Sequence, residues 1–208
     1  MSEVPVVMIV VLVLAVAVGL AWVVARWRPS PCPTFAIPVL DNAFTGRYHA
    51  AILERLDLSP GMSVLDAGCG PGLMTVPLAR AVGQQGGVFA LDIQQGMIDR
   101  ARAAAERGGL TNITFLVAGL GQGKLPTSTF DRAVLVTVLG EIPNRLAALR
   151  EIYASLKPGG FLSITEVLPD PHFQPRSRVK ALAIEAGFWV MSEFGNWLTF
   201  TVNVQRRP

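Results

Sequence analysis

The most restrictive feature of the chain is a short apolar strand that runs directly into a glycine-rich corner. Ser63-Val64-Leu65-Asp66-Ala67 reads as a buried strand, and Gly68-Cys69-Gly70-Pro71-Gly72 follows it without a spacer. Glycines at alternate positions tolerate positive φ and let a ligand approach the backbone. Leu73 to Val82 then reads as a helix despite Pro77. Turn and helix-start amides together favour a ligand with polar or anionic groups. Val88-Phe89-Ala90-Leu91-Asp92 is a second strand, ending on an acid 20 residues after Gly72. An acid there accepts both hydroxyls of a ribose. The spacing G-x-G-x-G, where a dinucleotide site has G-x-G-x-x-G, argues against a nicotinamide-dependent oxidoreductase.

The remaining chain alternates strand and helix. Residues 46–58 form an amphipathic helix stopped by Ser59-Pro60-Gly61, and Gly96 to Arg107 form another. Strands are expected at Ile113 to Val117, Asp131 to Leu139 and Phe161 to Val167. Helices are expected at Asn144 to Leu156, stopped by Lys157-Pro158-Gly159-Gly160, and at Ser177 to Ala186. Phe188 to Phe194 and Trp197 to Gln205 close the chain as a hairpin with no helix between them. The pattern specifies a doubly wound, mostly parallel, seven-stranded α/β sheet, Rossmann-like, with an antiparallel terminal strand at one edge.

Ahead of this domain the composition changes. The whole chain is 51% hydrophobic and 16% charged, against about 25% charged in an average globular protein. The excess lies at the start: Val4 to Ala25 is 22 residues without a charge, fourteen of them Val, Leu or Ile. A helix of that length spans ~33 Å, the thickness of a bilayer's hydrocarbon core. Glu3 precedes the run, and Arg26 and Arg28, with Trp22 and Trp27, mark its far end. The expectation is a single transmembrane anchor (1–27) in the lipid bilayer, with the domain on the cytoplasmic side. Pro29, Pro31, Pro33 and Pro38 make 28–42 a semi-rigid linker, and 43–208 is the folded domain. A net charge of +3 gives no reason to expect nucleic acid. Two cysteines, Cys32 and Cys69, provide neither a disulfide framework nor a cysteine-rich metal site, and no metal is expected.

The glycine corner is similar to motif I of the class I S-adenosylmethionine-dependent methyltransferases. Asp92-Ile93-Gln94-Gln95-Gly96-Met97-Ile98 is similar to their second motif, with Gln94 at the usual Ser position. Phe130-Asp131, Leu149-Arg150-Glu151-Ile152 and Leu156-Lys157-Pro158-Gly159-Gly160-Phe161-Leu162 continue the resemblance over about residues 46–208. Within the class the chain resembles the ubiquinone/menaquinone-biosynthesis and phospholipid or small-molecule group. The resemblance implies that S-adenosylmethionine is the cofactor. It implies that Asp66 and the Gly68, Cys69, Gly70 and Gly72 turn hold its amino acid end. Asp92 then binds the ribose, and Ile93 and Met97 flank the adenine. Many relatives read G-D-A after the third strand; here Ala118-Gly119-Leu120-Gly121-Gln122 puts Leu120 beside the adenine, with no carboxylate.

A base is needed only if the acceptor must lose a proton. Glu141 after the fourth strand, His172 in a loop and Tyr48 on the first helix are the candidates, with His49 and Glu166 near them. The bland alternatives are a turn cap for Glu141 and a solvated loop residue for His172. Phe188, Trp189, Phe194, Trp197 and Phe200 build the terminal hairpin's core, line an acceptor pocket or touch the bilayer. The expected activity is methyl transfer to a small hydrophobic acceptor: a quinone precursor, a phospholipid or a lipophilic thiol or amine. The alternative is a tethered, non-catalytic cofactor-binding module.

Overall fold

The structure is a computed structural model. It describes residues 43–208, the linker residues 30–32, and positions 8, 9, 11–13, 16, 19, 20 and 23 of the N-terminal run, with residues 43–47 described by backbone alone. In chain order the elements are α1 (Ala43–Arg55), β1 (Ser63–Ala67), α2 (Thr75–Val82), β2 (Gly87–Asp92), α3 (Gln95–Arg107) and β3 (Ile113–Val117). Then come β4 (Phe130–Val136), a 3-10 turn (Leu139–Glu141), α4 (Arg145–Ser155), β5 (Leu156–Val167), α5 (Arg176–Glu185), β6 (Trp189–Gly195) and β7 (Thr199–Gln205).

The strands form one seven-stranded sheet in the order β3-β2-β1-β4-β5-β7-β6. Residues alternate between its faces with period two. Val64, Val88 and Val134 pack with Ile52 of α1, Leu56 just after it, and Leu78 and Val82 of α2. Leu65, Leu91, Ala133 and Leu135 pack on the other face with Leu149 and Ile152 of α4 and Val179 and Leu182 of α5. Burial on both faces is why β1 reads as a continuous apolar run. Strand order reverses between β1 and β4, and the crevice outside the carboxyl ends of the strands opens there.

Three expectations change. The antiparallel strand is β7, one position in from the edge, while β6 forms the edge. The α5 crossover carries the chain past a gap beside β5, and the hairpin returns to fill it. The fourth strand stops at Val136, because Thr137 takes φ +53° and turns the chain into the 3-10 segment. Lys157-Pro158-Gly159-Gly160 does not separate α4 from β5. Phe130 pairs with Leu156 and Arg132 with Phe161, so these residues form an irregularity inside the strand pairing.

Most of the expected anchor, 1–27, and most of the 28–42 linker lie outside the described residues. Where positions of the run are described they are helical. Their large apolar side chains, such as Ile9, Leu12 and Leu20, are exposed. Among the described residues no helix is long and apolar enough to cross a membrane.

Candidate active site

The glycine corner is stitched to the neighbouring strand. The Gly68 and Cys69 N–H groups both donate to the Leu91 carbonyl, at 2.8 and 2.9 Å. Gly70 takes φ +52°, and a Cβ there would meet nothing within 4 Å, so the backbone faces open space. Its N–H donates to Asp92 Oδ2 at 2.9 Å, and the Gln94 N–H donates to Asp92 Oδ1 at 2.8 Å. The carboxylate offers about four lone-pair sites in all, so these bonds leave it acceptor capacity for a ligand. Burial pushes the Asp92 carboxyl above its usual range, against the opposing backbone N–H groups of Gln94, Gly70 and Ile93.

These groups line a cavity of about 470 Å³ at the switch point, within the range of small-molecule sites. Asp66, Gly68, Cys69, Ile93 and Leu120 line it, as do Tyr48, His49 and Glu141. Asp66 is buried and accepts a hydrogen bond from Thr75 Oγ1 at 2.6 Å; burial raises its carboxyl to about 7, with the Thr75 bond opposing. Cys69 is also buried, and that burial pushes its thiol upward. Glu141 projects from the turn after β4, and its Oε2 accepts the Cys32 N–H at 3.2 Å. Burial, then the charges of Asp170 and Asp92, raise its carboxyl to about 8. Tyr48, half-buried beside His49, is raised to about 12, again chiefly by burial.

Three expected residues stand elsewhere. A Cβ on Gly72 would lie 3.0 Å from Ala101 Cα, so this glycine lets α3 pack closely against the corner and does not line the cavity. Met97 is buried in the stripe of α3 that also holds Ala101 and Ala105, behind the cavity wall. His172 does not line the cavity either. It is buried in the β5–α5 loop, where its N–H donates to Asp170 Oδ1 at 2.6 Å. Glu166 is likewise buried outside the cavity, with Oε2 accepting the Gln174 N–H at 3.0 Å.

Other residues were not singled out from the sequence. Pro31, Cys32 and Gln94 complete the outer wall of the cavity. Glu151 of α4 holds the Leu120 loop: its carboxylate accepts the N–H groups of Gly121, Lys124 and Leu125. The family-like Leu149-Arg150-Glu151-Ile152 run is the available signal for Glu151; none points to Cys32. Gln122, in the Leu120 loop, turns its amide oxygen onto the Gly119 N–H.

Residues 64–160 match the methyltransferase-domain family. The chain is 33% identical over 147 residues to a ubiquinone/menaquinone biosynthesis C-methyltransferase of Vibrio vulnificus, covering 68% of this chain and 56% of that one. It is 28% identical over 114 residues to a demethylmenaquinone methyltransferase of Geobacillus stearothermophilus, covering 55% of this chain and 49% of the other. A solved S-adenosylmethionine-dependent methyltransferase from Aquifex aeolicus superposes with a TM-score of 0.76 at 26% identity, over 84% of this chain and 99% of that one. Over residues 64–160 the chain is similar to methyltransferase domains, and its fold is that of a solved S-adenosylmethionine-dependent methyltransferase. The chain spans about half the length of the curated relatives it matches.

The domain's own residues fit S-adenosylmethionine. The open face of Gly70 admits a ligand where a side chain would stand, and Asp92 keeps acceptor capacity suited to a vicinal diol.

Proposed function

We propose that the protein transfers the methyl group of S-adenosylmethionine to a small hydrophobic acceptor, from a domain tethered to the cytoplasmic face of a membrane by its N-terminal run. The observation that carries this reading is the Asp92 carboxylate beside the open Gly70 corner, inside a cavity of about 470 Å³. Asp92 binds the ribose, Gly68, Cys69 and Gly70 with Asp66 receive the amino acid end, and Ile93 and Leu120 enclose the adenine. The cofactor supplies an electrophilic methyl on sulfur. The protein's contribution is then alignment and exclusion of water.

Glu141 and Tyr48 face the acceptor end. With its carboxyl raised to about 8, Glu141 stays largely protonated at pH 7. It donates a hydrogen bond to the acceptor at that pH and becomes able to take a proton as pH rises through 8. The two quinone-pathway relatives and the apolar run Val4 to Ala25 support a lipophilic acceptor. Incubating membranes that contain the full chain with methyl-labelled cofactor tests the reading. A labelled, lipid-extractable product is expected. Cofactor binding without any labelled product favours the non-catalytic module.

A further inference from the structure

One peptide of the linker is held from both sides of the crevice. The Cys32 N–H donates to Glu141 Oε2 at 3.2 Å, and the Cys32 carbonyl accepts from Gln94 Nε2 at 2.9 Å. Gln94 stands after β2 and Glu141 after β4, on either side of β1 in the sheet. The contacts span 62 and 109 residues of chain, so they belong to the tertiary structure and not to a local turn. Pro31 and Cys32 both line the cavity. Proline has no N–H, so within Pro31-Cys32-Pro33 only Cys32 has an amide hydrogen to donate. The fixed φ of the prolines lowers the entropy lost when the segment is pinned.

We propose that Pro31-Cys32 is a strap across the cofactor cavity and that Gln94 is the positioning residue that fastens it, slowing cofactor entry and product release. Gln94 occupies the place where the resembled motif carries Ser, whose hydroxyl stands two heavy atoms closer to the backbone. Its backbone N–H serves Asp92, while its side chain is spent on the strap. The chain leading to the apolar run thus passes over the mouth of the site. This inference rests on the cofactor reading above for what the strap retains, not for whether the strap is fastened.

Cys32 and Cys69 are the chain's two thiols, one in the strap and one inside the cavity, so maleimide labelling read peptide by peptide reports both positions. In the detergent-solubilised full chain without cofactor, Cys32 should label well below the rate of the urea-unfolded chain. Gln94→Met keeps the length and loses the donor; it should speed Cys32 labelling about fivefold, the scale of one lost hydrogen bond. Gln94→Lys restores a donor and should return the rate toward wild type. S-adenosylhomocysteine should leave Gln94→Met faster by a similar factor, without a matching loss of thermal stability. A Cys32 rate equal to the unfolded chain, or indifferent to residue 94, overturns the strap. The cofactor arm separates the two readings. If S-adenosylmethionine slows Cys69 while Cys32 ignores residue 94, the strap falls and the cofactor site stands. If residue 94 controls Cys32 but the cofactor protects neither thiol, the strap is supported and the cofactor reading falls.

Discussion

On the β2 side of the crevice, Asp92 is buried but meets two backbone N–H groups at 2.8 and 2.9 Å. On the β5 side, Glu166 is buried with one oxygen on the Gln174 N–H and the other without a partner. Burial raises Glu166 to about 8, and Glu141 and Asp170 in the same region are raised mainly for the same reason. The cofactor half is thus made of main chain that a short motif dictates. The β5 side, outside the cavity wall, is made of side chains brought together from segments far apart in sequence. Backbone donors favour the carboxylate, whereas on the β5 side burial outweighs the opposing Arg145 charge and favours the neutral acid of Glu166.

The largest effect that tests this contrast is on Asp92. Asp92→Ala removes the acceptor for a ribose and strands the Gly70 and Gln94 N–H groups. Two lost hydrogen bonds to a charged group, at ~1.5–3 kcal/mol each, predict about a hundredfold or greater weakening of S-adenosylmethionine binding by calorimetry. Unchanged affinity would remove the main-chain half from the binding site.

The β5 side predicts a pH signature. Glu166 in the folded protein is raised to about 8, above its unfolded value of 4.5. The folded state therefore holds a proton that the unfolded chain has released. That stabilisation is complete below the unfolded value and is lost as pH rises through 8. Glu141 at about 8 and Asp66 at about 7 act in the same direction. Stability should fall between about pH 5 and pH 8, each fully retained proton contributing up to ~1.4 kcal/mol per pH unit. Glu166→Gln keeps an acceptor for Gln174 and should flatten this decline in urea titrations across that range. A slope identical to wild type would mean that Glu166 is ionised in the fold.

Within the cofactor half, two glycines separate ligand approach from packing. Gly72→Ala meets the Ala101 backbone at 3.0 Å and a φ of +93°. Strain of this kind costs about 1–3 kcal/mol, which should appear as a lower melting temperature with cofactor affinity largely kept. Gly70→Ala meets no neighbour but points into the ligand's space, so affinity should fall more than stability. If the two variants behave alike, the division is wrong.

These two glycines also show what was legible in the sequence. The strand, the corner and the terminal acid occupy one continuous stretch, so their chemistry follows from order and spacing. Spacing alone does not say which glycine faces the ligand and which faces a helix. Met97 was assigned to the cavity by motif, yet its i, i+4 stripe with Ala101 and Ala105 marks the buried face of α3. Tyr48 and Glu141 reach the site, while His172, in the β5–α5 loop, packs against Gly140 and does not line the cavity. Loop placement depends on tertiary contacts that local pattern does not encode. The hairpin was legible; its insertion beside β5 was not, because strand order is set by the crossover.

The opposite end of the sheet offers the smallest and sharpest check. Asp131 opens β4, where its carboxylate accepts the Ser63 N–H at 2.8 Å and Lys157 Nζ at 2.8 and 2.9 Å. Partial burial pushes this carboxyl up, but the Lys157 and Ser63 hydrogen bonds and the Lys157 and Arg132 charges outweigh it and hold it below the usual range. Its contribution is therefore present above the unfolded carboxylate value and is lost as pH falls through the lowered folded one, the reverse of Glu166. Lys157→Met should cost only about 0.5–1 kcal/mol, as solvent-facing pairs do, and less in high salt. Its loss should appear at neutral pH and fade on the acid limb, where wild-type Asp131 is itself protonated. Glu166→Gln should alter the limb between pH 5 and 8 instead. A Lys157→Met cost that persisted undiminished in acid would show that Lys157 stabilises β4 and β5 by packing its stem, not through the Asp131 charge.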